Sequence, residues 1–255
     1  KRENKQLKWR QSQQTILLRS QAINRMQQEH KELLIYWGDV KSSIDVNSSL
    51  SEKKEICETI SSAIWADDIV ALKQTHSNSG FHVSNLEKDK KFFTTEGDFL
   101  ITQESDLGIA VITADCVPLV LHNLENQAIA IVHVGWKGAV TGIVKAVCTD
   151  ALFSKNMDLV QAFIGPSALD CCYEVQKDFL DHFDEEIKEK CFVVRDEKIY
   201  YNNTLFIRIK LKSLGIFDRN IYTDYNICTI CSEEFCSYRR DGKMARRNVT
   251  VALLR

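Results

Sequence analysis

The sequence predicts an α+β fold with mixed or antiparallel sheets, and three observations carry this reading. Apolar runs rich in Ile, Val and Ala cluster in the centre of the chain, stretches of helical character lie on both sides, and the two alternate without a strict strand-helix-strand rhythm. With 255 residues, 44% of them hydrophobic and 27% charged, the chain is long enough to bury a full core. It holds only two prolines and ten glycines, with no Pro/Gly-rich linker or repeat, so one domain over residues 1–255 is expected.

Taken in order, residues 1–34 are rich in Gln, Lys, Arg and Glu, with Leu7, Ile16, Leu17, Ile23 and Leu33 at loosely helical spacings, which predicts one or two helices. Residues 1–50 are therefore read as a largely helical N-terminal segment. Ser51 to Trp65 reads as a second helical stretch, with Ser51 as N-cap ahead of Glu52 and Glu55. Asp67 to Lys73 turns apolar and extended. Gly108–Leu121 and Gln127–Val134 read as two strands of a hairpin, separated by the polar stretch His122 to Asn126. Further on, helices are expected over Gly138–Phe153, Val175–Glu189 and Thr204–Leu214. Strands are expected over Leu159–Ile164, Cys191–Arg195, near Ile221 and over Val249–Leu254.

Charge and composition exclude several classes of function. The 33 basic and 35 acidic side chains nearly cancel to a net charge of -2, which disfavours a general nucleic-acid binder. The longest apolar run, Gly108–Leu121, is interrupted by Asp115 and Pro118 and is too short for a membrane helix. Lys1 to Arg10 is basic, but a Gln-rich stretch follows it rather than an apolar one, so a cytoplasmic protein is expected. Nine cysteines, an odd number scattered through a mid-sized chain, read as mostly reduced thiols.

The chemistry gathers in the central hairpin. If residues 122 and 127 flank its loop, continuous antiparallel pairing sets Cys116 directly opposite His133, with Cβ atoms about 5 Å apart. A thiolate and an imidazole suit zinc or a related late transition metal, and a stable site needs a further ligand. His76 in Gln74-Thr75-His76-Ser77-Asn78, just after an apolar strand, is the best candidate. Three protein ligands leave a coordination position open for water or substrate, the pattern of a catalytic site. The same closeness also serves a metal-free alternative, in which Cys116 is a nucleophile and His133 its base.

Six segments occur in an order that resembles one family: Gln74-Thr75-His76, Gly97 to Thr102, Thr113 to Pro118, His133 to Gly138, Ile164-Gly165-Pro166 with Cys172 to Val175, and Ser237 to Gly242. They are similar to the YfiH-type laccase-domain family, once called polyphenol oxidases and now viewed as purine nucleoside phosphorylases with adenosine deaminase activity. The resemblance covers roughly residues 60–255. It implies a layered α/β/β/α sandwich, metal ligation by His76, Cys116 and His133, and an acidic residue, Asp98, at the same cleft. The Arg-Gly-Gly and Ser-Leu-Asn-Leu-Gly segments usual near the N-terminus of that family are missing, and only Tyr36-Trp37-Gly38-Asp39 loosely occupies their place.

Arg239, Arg240, Arg246 and Arg247 are candidates for gripping phosphate, because guanidinium donors match its oxygens in pairs. Lys137, at the start of an expected helix, offers a second anion contact. His82, His122 and His182 read as surface residues. Cys228-x-x-Cys231 with Cys236 resembles half a zinc ribbon without a second pair, and Cys171-Cys172 reads as packing.

The function implied is a zinc-dependent purine nucleoside phosphorylase acting on adenosine, inosine, guanosine and methylthioadenosine, with adenosine deaminase activity and with copper able to substitute for zinc. Asp98 and Arg240 would be catalytic, Arg239 and Lys137 would bind phosphate, and the partners would be a purine nucleoside and inorganic phosphate. The alternatives are a metal-free Cys/His amidohydrolase, a cell-wall precursor editing factor and a copper-dependent phenol oxidase. The last is disfavoured because a multicopper centre needs more His and Cys ligands than a chain with six histidines offers.

Overall fold

The computed structural model describes residues 27–30, 32–84 and 93–255. Strands β1 (Gln27–His30) and β2 (Leu33–Trp37) pair antiparallel. The expectation of a largely helical segment over 1–50 is thus corrected over 27–30 and 32–49, where strands, a 3-10 turn at Val40–Ser42 and loop stand instead, while residues 1–26 and 31 lie outside the described residues. The physical reason is visible in β2: Leu33-Leu34-Ile35-Tyr36-Trp37 is an unbroken apolar run, buried at every position, with no helical period. Helix α1 (Leu50–Ile64) starts one cap earlier than expected. Ser49, not Ser51, is the N-cap, because its hydroxyl accepts the Glu52 N–H while the Glu52 carboxylate accepts the Ser49 N–H.

The chain continues through β3 (Asp68–Ala71), β4 (Gly80–His82), β5 (Phe99–Thr102), β6 (Leu107–Thr113), β7 (Val117–Asn123) and β8 (Ala128–Val134). Helices α2 (Trp136–Thr141) and α3 (Ile143–Cys148) follow, split at Gly142, whose φ of 94° interrupts the single helix expected there. After β9 (Val160–Ile164) and β10 (Glu174–Val175), the helix expected from 175 to 189 is replaced by a 3-10 turn, Lys177–His182, and α4 (Glu185–Cys191), which Asp184 caps. Strand β11 (Phe192–Arg195) then pairs with β12 (Lys198–Tyr201), which the sequence reading missed. Helix α5 (Asn203–Ser213), β13 (Ile221–Tyr222), α6 (Tyr238–Asp241) and β14 (Asn248–Leu254) complete the chain.

Two sheets dominate, one ordered β1-β2-β14-β6-β3 and the other β13-β9-β7-β8-β5-β4. Both are mixed: β3 runs parallel to β6, β4 to β5 and β13 to β9, while the other pairs are antiparallel. Strand alternation sorts the side chains into layers. On β2, Leu33, Ile35 and Trp37 meet Ile129, Ile131 and Phe163 of the other sheet, while Leu34 and Tyr36 meet Ile60 and Ile64 of α1. On β8, Ala130, Val132 and Val134 face away from the first sheet and pack with Val144 and Val147 of α3 and Phe206 of α5. The order is helix, sheet, sheet, helix. Strands buried on both faces read as continuous apolar runs, which is why β7 hides His122 completely rather than leaving it at the surface.

The apolar run 108–121 is not one strand. It belongs to two sheets, β6 in the first and β7 in the second, and crosses between them at Ala114-Asp115-Cys116, where Asp115 takes a φ of 84°. The hairpin register also differs from expectation: Asn123 pairs with Ala128 and Pro118 with His133, so the loop comprises residues 124–127. Asn123 sets this loop, accepting the Glu125 N–H and donating to the Leu152 carbonyl. The shift is two residues, an even number, and so it leaves Cys116 on the same face as His133.

Candidate metal centre and its cleft

The two sheets define one end at which the chain crosses between layers twice, after β3 through residues 72–79 and after β6 through residues 114–116. These crossings bring His76 and Cys116 to His133, which continues the inter-sheet face of Ile129 and Ile131 on β8. One nitrogen from each histidine and the Cys116 sulfur lie within 4.8 Å of one another. Cys116 Sγ is 3.8 Å from His76 Nε2, and the two imidazoles meet edge to face at 4.7 Å between centroids. Gly135 is required by this approach, because a Cβ there would lie 2.8 Å from His76 Cδ2 and 3.2 Å from Cys116 Sγ.

Asp98 stands behind the cluster rather than facing the cleft. It immediately precedes β5, its carbonyl accepts the His133 N–H at 2.8 Å, and its Oδ1 lies 2.8 Å from His133 Nδ1. The backbone from Thr75 to Ser77 folds around the same carboxylate. Its oxygens accept from the N–H groups of Thr75, His76 and Ser77 and from the Ser77 hydroxyl. His76 takes a left-handed φ of 60° to make that turn. Asp98 is 1% exposed and its acceptor positions are taken, so this geometry does not support the catalytic role expected for it. Its contact instead directs His133 Nδ1–H inward and turns Nε2 toward Cys116 at the cleft, as outer carboxylates do for ligand histidines.

The electrostatics favour a charged cluster. Burial opposes ionisation of Asp98, but the hydrogen bonds from His133 and Ser77 outweigh it and hold the carboxyl well below its usual range. Burial likewise opposes the Cys116 thiolate, yet His133 and His76 bring the thiol down to about 6. Burial would lower His133, and the Cys116 and Asp98 charges raise it to about 9. The donor set of thiolate and two imidazoles is thus chemically matched to a soft or borderline divalent cation, which would take the place of the protons.

These residues open onto a cleft of about 750 Å³, whose walls include Trp136, Lys137, Tyr173, Tyr238, Arg239 and Arg247. The arginine pair expected to act together is divided. Arg239 faces the cleft, with its guanidinium 4.6 Å over the Tyr173 ring, one nitrogen donating to the Glu174 carbonyl, and its backbone N–H held by Asp115 Oδ2. Arg240 does not line the cleft: it forms a two-pronged pair with Asp241 and donates to the carbonyls of Thr229, Ser232 and Phe235. Arg246 is likewise spent on Ser43. The aromatic walls were missed in the sequence, where Trp136, Tyr173 and Tyr238 stand inside recognised motifs yet carry no spacing signal of their own.

A four-layer α+β fold with a His-Cys-His cluster where its two sheets exchange strands defines the class, a laccase-like enzyme domain. A family model described as multi-copper polyphenol oxidoreductase laccase matches residues 13–255, and the chain belongs to this family. The match starts well before residue 60, where the motif resemblance begins. A purine nucleoside phosphorylase of Clostridium acetobutylicum is 31% identical over 218 residues, covering 84% of this chain and 88% of the relative. An adenosine deaminase from an unknown prokaryotic organism is 32% identical over 195 residues, covering 72% of this chain and 74% of that one. Among solved structures, Bacillus licheniformis YfiH matches with a TM-score of 0.77 at 22% identity, over 88% of this chain and 93% of that one, which supports the fold.

Proposed function

We propose that this enzyme is a purine nucleoside phosphorylase that also deaminates adenosine, with zinc held by His76, Cys116 and His133. The observation that carries the reading is the convergence of three metal-ligating atoms within 4.8 Å at a cleft lined by both aromatic and cationic side chains. The names of the relatives from Clostridium acetobutylicum and the unknown prokaryote supply the two reactions. Zinc in this site would supply Lewis acidity at an open coordination position.

The chain's own residues divide the remaining work. Trp136, Tyr173 and Tyr238 offer ring faces and edges to a planar purine. Lys137 and Arg239 place positive charge where inorganic phosphate would sit, and Arg247 adds a third cation to the wall. In phosphorolysis a phosphate oxygen bonds C1′ while the bond from C1′ to the purine nitrogen breaks, its electron pair leaving with the base, which takes up a proton. In deamination water adds at C6 and ammonia leaves. Asp98 is assigned a positioning role through His133, and Arg240 a structural one.

Product analysis from inosine with and without phosphate tests the reading. Hypoxanthine and ribose 1-phosphate should form only when phosphate is supplied, and adenosine deamination should continue without it. Arg239→Ala should slow phosphorolysis by about ten- to a hundredfold, the worth of a charged hydrogen bond, and deamination much less. Free ribose in phosphate-free buffer would show a hydrolase instead. The closeness of Cys116 and His133 favours a second reading, a thiolate nucleophile without metal. Full turnover after thorough chelation would select it.

A further inference from the structure

Away from the cleft cluster, the fold assembles four more cysteines. The sulfurs of Cys171, Cys172, Cys228 and Cys231 lie within 4.8 Å of one another, although 55 or more residues of sequence separate the two pairs. The loop after β9 and the loop after β13 are laced together. Ser167 N–H donates to the Ile227 carbonyl and Thr229 N–H to the Ser167 carbonyl, both at 3.0 Å, and Asn226 Nδ2 donates to the Gly165 carbonyl at 2.6 Å. Within the second loop Ser232 N–H closes onto the Cys228 carbonyl at 3.1 Å, which folds Cys228-x-x-Cys231 into a turn with both sulfurs on one side. The pair missing beside Cys228-x-x-Cys231 in the sequence is therefore Cys171-Cys172, supplied from another loop.

Packing does not account for the convergence, because Cys171 and Cys231 are exposed and only Cys228 is buried. All nine cysteines are free thiols in the structure, and this cluster contains four of them. A tetrahedral zinc with bonds near 2.3 Å sets its sulfurs about 3.8 Å apart, so a small inward movement of the four side chains completes the geometry. The backbone N–H groups of Leu169, Ile230 and Cys231 surround the Cys228 sulfur, donors of the kind that metal-bound sulfur accepts.

We propose that Cys171, Cys172, Cys228 and Cys231 form a closed, structural four-thiolate zinc site, distinct from the cleft cluster, that clamps together the two loops behind one wall of the cleft. Binding forms four zinc-sulfur bonds and releases the thiol protons to solvent, with no change in oxidation state. Four protein ligands leave no open position, so the ion would be structural. Its leverage on the cleft is short. Tyr173, next to Cys172, carries the Arg239 guanidinium on its ring, and Thr229, inside the Cys228-x-x-Cys231 turn, donates at 2.8 Å to the Asp115 carboxylate that holds the Arg239 backbone.

The test uses the full chain carrying His76→Ala and His133→Ala, so that its outcome does not depend on whether the cleft binds metal. Purified without added metal, this variant should hold about one zinc per chain. Its cobalt-substituted form should show the intense sulfur-to-metal absorption and visible bands of a tetrahedral thiolate site. Adding Cys228→Ser and Cys231→Ser should abolish both. Because that variant could fail to fold, cobalt titration of the unmutated chain provides an independent reading: its sulfur-to-metal absorption should be several times that expected for Cys116 alone. A metal-free His76/His133 variant, a cobalt spectrum no stronger than a one-thiolate site gives, or a disulfide within the cluster of the freshly prepared chain would each overturn the proposal.

Discussion

Asp98 stands behind the candidate metal ligands, and its chemistry leads to two predictions. Its carboxylate accepts from His133 Nδ1 and from three successive backbone N–H groups that shape the His76 turn. Asp98→Asn puts an amide donor among these donors, so affinity for the proposed zinc should fall about 10- to 100-fold, the usual cost of a lost outer-sphere partner. Competition titration against a chelator measures it, and unchanged affinity would reduce Asp98 to scaffold. The second prediction concerns the metal-free protein. Cys116, lowered to about 6, loses its thiolate and the associated stability as pH falls through that value. His133, raised to about 9, contributes fully below its unfolded pKa and loses its proton and contribution as pH rises through about 9. The charged pair therefore persists between these limits. Alkylation of Cys116 in the metal-free chain should be half-maximal near pH 6, whereas a midpoint at the ordinary thiol value would show that the pair does not form.

At the scale of single elements, caps and register carry most of the correction. Sequence alone points to Ser51 as the start of α1, because any serine before a helical run qualifies as a cap. The capping box requires Glu three residues after the cap, and only Ser49 with Glu52 satisfies it. Ser49→Ala should therefore cost about 1 kcal/mol in a urea melt, and Ser51→Ala less than about 0.5. Equal costs would mean that the helix frays past its first turn. The central hairpin shows the opposite case, in which a wrong register still gave a useful site. Because the side-chain period is two, the two-residue shift kept Cys116 and His133 on one face, and the position opposite Cys116 passed to Gly135, whose missing Cβ makes room for the ligands.

Across the whole molecule, the sheets are held by a layer of side chains to which the site is only peripheral. Ile131 is fully buried between the two sheets, two residues along the same face of β8 from His133. Ile131→Ala should cost about 2 to 5 kcal/mol, the range for deleting a large aliphatic side chain in a close-packed core. Metal content at temperatures well below the melt should stay unchanged, because the ligands are carried by the crossings and strand end rather than by this layer. Denaturant melts and metal analysis of the same preparation separate the two effects. Loss of metal in a fully folded variant would show that the inter-sheet layer also sets the ligand geometry. No helix among the described residues is long and apolar enough to cross a membrane.

Read alone, the sequence shows the mixed α+β character, strands expected at 159–164 and 249–254 and found at 160–164 and 248–254, a helix expected at 204–214 and found at 203–213, and the family, through ordered motifs that carry their own residues. Local periodicity suffices for such elements because it reflects which faces are buried. It failed over 33–37 and 108–121, where strands are buried on both faces and alternation vanishes. Only the tertiary structure decided which arginine reaches the cleft, since Arg239 and Arg240 are neighbours whose side chains diverge on a short helix. Only it placed Asp98 behind His133 and set Cys171-Cys172 against Cys228-x-x-Cys231. The physical reason is the same in each case: these relations are contacts between segments far apart in the chain, and no local pattern records which loops two packed sheets will bring together.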